Sequence, residues 1–392
     1  MKNKNHISES ILQKRIKRFK SIKRGYYSLI ILIGLYAISI CAPLFFNSKA
    51  IAVKYNGEYY FPLINSILSY DDLEAKDLGQ FEIKGKKKYG QPHYRLLKKQ
   101  YEKENNGNWV LLTLYPYNPY EDVISEKDEQ FTDVNNNGKW DKGESFIDEN
   151  NNGLFDKYKY TNFPNGQHLL GTDNQGRDVL SRLVYGFNIS MTFAIVVWAC
   201  SYILGIIIGG MLGYFGGRID LFGLRVIELY SSIPFLFLLM ILATFIKPTV
   251  YILALMYVVL SGWIGITWYI RGEFLREKSK DYVSAAVSMG QSHWNVMFKH
   301  ILPNSLTPII TFAPFAIISY IGSLVALDYL GFGLQPPTPS WGELISQGRT
   351  NLQYWHLIVA PLTALGGTLF LITFIGEAIR EAFDPKVHSR LR

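Results

Sequence analysis

The sequence predicts an all-α polytopic membrane protein with six transmembrane helices and a large extracytoplasmic insert between helices 1 and 2. Three observations predict it. Apolar blocks recur, each close to the ~20 residues of helix that cross a hydrocarbon layer roughly 30 Å thick. One long polar stretch, residues 47–167, contains no such block. Lys and Arg crowd into the amino-terminal arm and into the short segments that alternate threading puts on a single side.

The arm (1–25) carries KRIKRFKSIKRG with almost no acidic counterweight and is expected to stay cytoplasmic. The first block, 26–46 (YYSLIILIGLYAISICAPLFF), has the flanks of a signal peptide. No small-residue cleavage pattern follows it, so an uncleaved anchor is expected. The insert then lies outside, since long loops cross largely regardless of charge. Within it, 109–114 (WVLLTL) reads as a strand of a small folded domain with a modest core. Further spans are read at 189–214, 221–245, 250–270, 306–330 and 356–376, with Pro234, Pro308 and Pro314 tolerated within or near them. Six crossings that begin inside finish inside. Arg218, Arg225, the segment 271–300 and the tail with Arg380, Lys386, Arg390 and Arg392 therefore share the cytoplasmic side, and Lys247 falls on the other.

With 48% hydrophobic and 18% charged residues, the chain leans apolar for its length. A net charge of +8 would suit nucleic acid, but the basic residues follow membrane topology instead, and no nucleic-acid partner is expected. Cys41 and Cys200 sit in apolar blocks and imply neither a disulfide nor a metal framework. No GxxxxGK followed by Ser or Thr is present to cradle nucleotide phosphates, and no His, Asp and Ser constellation suits a hydrolase. Catalytic residues, and a cofactor in the membrane core, are not expected.

Gly205, Gly209 and Gly213 recur every four residues on one face of the second span and should let another helix approach closely. The loop between spans four and five, REKSKDYVSAAVSMGQSHWNVMFKHILPNSLTPII, carries more. Its start reads as a helix bearing Tyr282, Ala285, Ala286 and Met289, and Gly290 permits a sharp change of direction. Trp294, Met297 and Phe298 offer an apolar surface, and Pro303 directs the chain back into the membrane. Small residues before a glycine turn make a knob on which another protein can dock.

On these residues the sequence resembles the permeases of binding-protein-dependent ABC importers. Their loop reads Glu-Ala-Ala, three residues, Gly, nine or ten residues, then Ile-x-Leu-Pro or a close variant. Here stand Ser284, Ala285, Ala286, Gly290, Ile301, Leu302 and Pro303, with Ser284 in place of the usual acid. The loop's ending, HILPN (300–304), and three further stretches are similar to the dipeptide and oligopeptide branch, second (C-type) subunit: LGTDNQGRDVLSR (170–182) with Tyr185, Gly186 and Ser190, GYFGGRID (213–220), and ALDYLGFGLQPPTPSWG (326–342). The likeness covers residues 165–385 and the first span.

The resemblance implies the type I ABC importer permease fold, with a core at 168–385, a coupling loop at 271–305 and a tail at 386–392. It implies a bacterial inner membrane and a second homologous permease that encloses the pathway with this one. It further implies an extracytoplasmic solute-binding protein and two cytoplasmic ATPases, each receiving a coupling helix, here near 285–293. Ser284, Ala285, Ala286, Gly290, Trp294, Ile301, Leu302 and Pro303 are then the docking residues, and the subunit transmits force without catalysis. Peptides or peptide-like solutes are the expected cargo, with nickel or another small solute as the alternative within the family. A membrane-anchored calcium-binding or adhesive module, or a secondary transporter, would leave the loop 285–303 without a partner.

Several charges invite individual readings. Arg177, Asp178 and Arg182, just before span two, either brace an outer gate or meet the binding protein, or else they snorkel and cap a short amphipathic helix. Asp173 could cap a helix starting at Asn174. Glu228, inside span three, lines the pathway or braces the bundle, with Arg225 a turn away as partner; Asp328 reads as an anchor at the outer surface. PPTPSWG (336–342) reads as a stiff connection, and Trp341 and Trp355 suit the headgroup layer where lipid contacts are made.

In the insert, DVNNNGKWDKGE (133–144) satisfies a calcium-loop pattern. Asp133, Asn135 and Asn137 supply oxygens, Gly138 the turn, Lys139 its carbonyl, Asp141 a water-bridged contact and Glu144 both carboxylate oxygens. A partial second copy holds Asp148, Asn150, Asn152, Gly153 and Asp156 but ends at Lys159. A structural Ca2+ is expected at the first copy, against the alternative of an Asn-rich hairpin without metal.

Overall fold

A computed structural model describes residues 11–68, 73–80, 82–83, 86–87, 90–121, 132, 141, 144–145 and 161–384. Its helices are, in chain order, α1 Ile11–Ser21, α2 Lys23–Ile40, α3 Ala42–Phe45, α4 Pro62–Ile67, α5 Tyr94–Glu104, α6 Val179–Phe215, α7 Gly217–Ser231 and α8 Phe235–Phe245. There follow α9 Val250–Tyr257, α10 Trp263–Lys278, α11 Asp281–Ser288, α12 His293–Asn295, α13 Leu302–Tyr329, α14 Trp341–Thr350 and α15 His356–Phe383. The described strands, β1 Ala52–Tyr55, β2 Glu58–Tyr60, β3 Glu82–Ile83, β4 Lys86–Lys87 and β5 Trp109–Leu111, all precede α6. The chain divides into a helical unit (Met1–Ser39, Gly186–Glu343, Pro361–Arg392) and an insert unit (Ile40–Tyr185, Leu344–Ala360).

Among the described residues, four stretches are long and apolar enough to cross a membrane: α6, Val250–Lys278, His293–Tyr329 and α15. The second and third are carried through π-helical turns at Val258–Gly262 and Val296–Ile301. These helices overrun the spans expected from hydropathy, α6 by ten residues at its start (179 against 189), because hydropathy marks only the apolar middle of a helix whose polar turns continue it. The single span expected at 221–245 is instead two helices, α7 and α8, bent by 66°. Pro234 explains the break: it has no N–H to donate to the preceding turn, and it drives Ile233 away from helical geometry. Counting the bent pair as one span gives up to five. The first expected block carries α2 and α3, parted at Cys41.

In the helical unit α6 lies against α10 along the glycine track. A Cβ at Gly205 would strike Ile266, one at Gly209 the Thr267 carbonyl, and one at Gly213 the Arg271 carbonyl and Phe274. Backbone meets backbone there, which only a small residue allows. Ile270, Phe274, Val283, Ala286, Val296, Met297, Ile301 and Ile309 form one buried cluster, so α10, α11, α13 and the π turn before α13 share a core.

The insert unit is built on an antiparallel sheet of order β2-β1-β5, with Val53 opposite both Tyr60 and Val110. Asn56 and Gly57 turn the β1–β2 hairpin at φ of 49° and 89°, the left-handed pair that a two-residue hairpin loop requires. Helix α5 is capped at its start by His93, whose ring accepts from Leu96 N at 3.3 Å, and stops at Asn105 with φ 50°. It packs Tyr94, Leu97 and Tyr101 against Val53 and Val110. The strand expected over 109–114 is formed over Trp109–Leu111. The unit also takes in Leu344–Ala360, which the sequence placed with the permease core; His356 Nε2 lies 3.2 Å from the Thr172 carbonyl, and Asn174 N donates to Gln347 at 3.2 Å.

Candidate functional site

The loop 271–305 of the helical unit folds as a helix-turn-helix with one face anchored. Helix α11 ends at Ser288, Gly290 takes φ 75°, and Ser292 caps α12 by accepting from Asn295 N at 3.3 Å. The helix expected near 285–293 is therefore shifted towards the N-terminus. A left-handed glycine stops one helix and a serine cap starts the next inside that interval. On α11, Val283 and Ala286 are buried in the shared core, while Ser284, Ala285, Val287 and Met289 face outward. Trp294 stacks on Phe298 (centroids 5.4 Å, 12° between planes) and is exposed, whereas Ile301 is buried, Leu302 half-buried and Pro303 exposed in the first turn of α13. Of the eight residues singled out here, Ala286 and Ile301 are anchors and the remainder surface or boundary.

Polar contacts that the sequence reading missed brace this loop. Tyr214, at the end of α6, holds His293 Nδ1 at 2.8 Å, and its carbonyl accepts from Lys278 Nζ at 2.5 Å. Asp220 on α7 binds Arg271 on α10 through both oxygens, at 2.5 and 2.6 Å. Such a fork-on-carboxylate pair fixes orientation as well as distance. The GYFGGRID motif contains Asp220, and Arg271 opens the loop, so both halves were visible without their pairing. Tyr282 donates to Glu277 at 2.8 Å; partial burial and that bond hold its phenol above the ordinary range, neutral and able to donate.

Elsewhere the structure corrects the individual readings. Glu228 does pair with Arg225 (2.7 Å), but both side chains are largely exposed, so within this chain the pair braces no bundle. Asp328 is not an outer-surface anchor: it is buried, accepting from Leu334 N at 2.7 Å and Ser340 Oγ at 2.5 Å, and so latches the loop after α13 to its end. Trp341 is not at a headgroup layer either. It is 1% exposed, seated where Gly186 leaves room and beside Phe187, whereas Trp355 is exposed.

In the insert unit, Arg177, Asp178 and Arg182 are fully buried, which rules out snorkelling. Asp173 does not cap a helix at Asn174. Its Oδ1 accepts from Gln175 N and Arg177 N, each at 2.9 Å, and its Oδ2 meets Arg177 at 2.7 Å and Arg182 Nε at 3.5 Å. The cap of α6 is Asp178, whose Oδ1 accepts from Ser181 N at 2.8 Å. Its Oδ2 accepts from Tyr115 at 2.7 Å and lies 2.8 Å from His168 Nδ1. Burial, then the Asp178 carboxylate, push the Tyr115 phenol well up, so it stays a donor.

The calcium positions Asp133, Asn135, Asn137 and Lys139, and the second set Asp148, Asn150, Asn152 and Asp156, lie outside the described residues. Of the first loop, Asp141 and Glu144 are described: Asp141 N donates to Glu144 Oε2 at 2.9 Å. Just outside its two ends, Thr132 N donates to the Ser145 carbonyl at 2.9 Å.

Comparison with known proteins then decides the family. The profile of the "Binding-protein-dependent transport system inner membrane component" family matches residues 202–389. Over 373 residues, 95% of this chain and 96% of its relative, the sequence is 36% identical to the inner membrane ABC transporter permease protein YejE of Escherichia coli (strain K12). The chain belongs to this permease family. The permease is also 34% identical over 384 residues to the peptidoglycan transport system permease protein YejE of Agrobacterium fabrum, covering 95% of this chain and 93% of that one. To the oligopeptide transport system permease protein OppC of Haemophilus influenzae it is 35% identical over 223 residues, 56% of this chain and 71% of that one. Among solved structures, the inward-facing MetNI methionine ABC transporter matches 52% of the permease at a TM-score of 0.41 and 19% identity, too loose a likeness to carry detail.

For a permease, the geometry of the loop 271–305 has a mechanical meaning. Its charged groups are paired with one another, Arg276 with Glu273 at 2.6 Å and Glu277 at 3.3 Å, and a push on the outer face of α11 would pass through Val283 and Ala286 to Phe274 on α10 and Ile301 before α13. Close-packed interiors transmit such displacement instead of absorbing it.

Proposed function

We propose that this permease is one of two membrane-spanning subunits of an ATP-driven importer for peptides or peptide-like solutes. The observation that carries the proposal is α11, a short helix held by one face and bare on the other. Two ATPases each receive such a helix, a second homologous permease completes the pathway, and a solute-binding protein delivers cargo from the other side. Six crossings are assigned to α2–α3, α6, α7–α8, α9–α10, α12–α13 and α15. The basic arm at 1–25 keeps both termini in the cytoplasm, and the insert, 47–167, lies outside. The relatives' names, peptidoglycan and oligopeptide transport, favour peptide-like cargo over nickel. ATP-driven closure of the ATPases would draw the paired coupling helices together, and hydrolysis would reset them.

In the insert we propose a structural Ca2+ at 133–144, on the strength of the complete oxygen pattern and of the bond between Thr132 and Ser145 that closes the loop at its base. The function itself is tested by detergent extraction of the assembled complex and identification of its chains. Two ATPases and another six-span protein are expected; a lone monomer or a simple homodimer contradicts the importer.

A further inference from the structure

One concavity of the helical unit has no part in the docking loop. Helices α6, α9, α10 and α13 surround an open cavity of about 390 Å³, walled by Tyr202, Tyr257, Tyr269, Tyr320, Phe312 and Phe315. The π turn Val258–Gly262 that joins α9 to α10 lines it through Ser261 and Gly262. Such turns interrupt the regular helical ladder and are frequent at functional sites. This one is held in place by ring donors: Tyr230 Oη and Trp263 Nε1 bond the Val259 carbonyl at 2.9 and 3.0 Å, and Tyr257 pairs with Ser323 at 3.1 Å. The widened turn belongs to a braced wall.

The lining states what fits. No Asp, Glu, Lys or Arg faces the cavity, so it does not select a charged group. Its hydroxyls are many: four tyrosines, with Ser261 and Ser319 beside them. Among the described residues no hydrogen-bond partner is found for Tyr269 Oη or for the two serine hydroxyls. A lipid tail would gain nothing from them, whereas an amide-bearing solute could bond them in passing. Two glycines on the wall differ. A Cβ at Gly262 would collide with Ser201, so Gly262 serves packing, but a Cβ at Gly265 meets no atom within 4 Å, so Gly265 leaves space. The volume falls in the range of roughly 300–1,000 Å³ typical of small-molecule pockets.

We propose that this cavity receives an uncharged side chain of the solute in transit, aromatic or branched aliphatic, with its backbone amides against the hydroxyls. The proposal rests on the peptide reading above and adds where the cargo touches this subunit. Rigid aromatic walls with polar tips suit varied apolar side chains at low entropic cost.

The test is uptake by the complete importer reconstituted in vesicles, comparing trialanine with trileucine and triphenylalanine. Gly265→Leu starts from a Cβ position with no atom within 4 Å and adds apolar bulk to the cavity wall. It should lower trileucine and triphenylalanine uptake by about tenfold or more, the scale on which a pocket rejects misfitting apolar bulk, and leave trialanine near wild type. Loss of all three peptides alike, or of none, overturns the proposal, the first pointing to a seat for a lipid or for the partner permease. Should the Gly265→Leu complex not assemble, Tyr269→Ala replaces it; the enlarged cavity should shift preference towards the bulkier peptides, and an unchanged preference overturns the proposal. Absence of peptide uptake by the wild type would instead defeat the peptide reading itself, and this proposal with it.

Discussion

Ala285 and Ala286 are neighbours in α11 with opposite surroundings, so one substitution type separates docking from folding. An aspartate at exposed Ala285 keeps its water and should change stability by no more than about 0.5 kcal/mol. At Ala286, 1% exposed among Phe274, Val296 and Met297, the same carboxylate loses its water without gaining a partner, a cost on the order of 3 kcal/mol or more. Thermal melts of the detergent-extracted subunit should show Ala286→Asp falling well below wild type and Ala285→Asp level with it; equal melts would contradict the burial of Ala286, and the reverse order would mean that α11 is turned the other way. Asp173 offers a second single-residue test. Asp173→Asn withdraws the carboxylate facing two fully buried guanidinium groups, which should destabilise the insert unit by roughly 3–5 kcal/mol. Limited proteolysis reads this directly, with cleavage in 161–185 expected to accelerate and unchanged cleavage contradicting the structural role.

Among elements, the contact of α6 with α10 depends on glycine. Gly209→Leu would drive a side chain into the Thr267 carbonyl and should prevent stable accumulation of the permease, whereas Gly34→Ala on α2, where nothing lies within 4 Å, should leave it unchanged. Comparing the two protein yields checks that the effect belongs to the packed track and not to glycine loss in general. The calcium loop is tested at the same scale. Chelation should abolish protease protection of the insert, and restored millimolar Ca2+ should return it, as weak extracellular sites require. Persistent protection with no bound calcium contradicts the assignment. The glycine track and the apolar blocks were legible because period and composition write them into contiguous sequence. The Asn56 and Gly57 hairpin was written there too and overlooked. The pairing of Asp220 with Arg271, the latch from Asp328 to Ser340 and the seat of Trp341 against Gly186 were not legible. Each joins separate elements, and no local pattern reports which partner a buried charge or ring will find. The bend between α7 and α8 lies between these cases, since Pro234 was noted but read as tolerated.

At the scale of the whole permease, the loop motif and three flanking stretches disclosed the family from sequence alone, because each is a contiguous, ordered pattern that can be matched without knowing the fold. What they could not disclose is which alanine faces out, and the proposed mechanism turns on that. In the proposed mechanism, motion arriving at Ala285 and Met289 would have a packed route through Val283 and Ala286 into α10 and α13, and a polar one through His293 and Tyr214 into α6. The most direct measurement is ATP-driven peptide uptake, recorded together with ATP hydrolysis, by reconstituted importer carrying Ala285→Asp. If α11 carries the motion, uptake falls by at least about fivefold, the low end of a coupling free energy of roughly 1–3 kcal/mol, while hydrolysis continues. Uptake at the wild-type level for the same hydrolysis contradicts it.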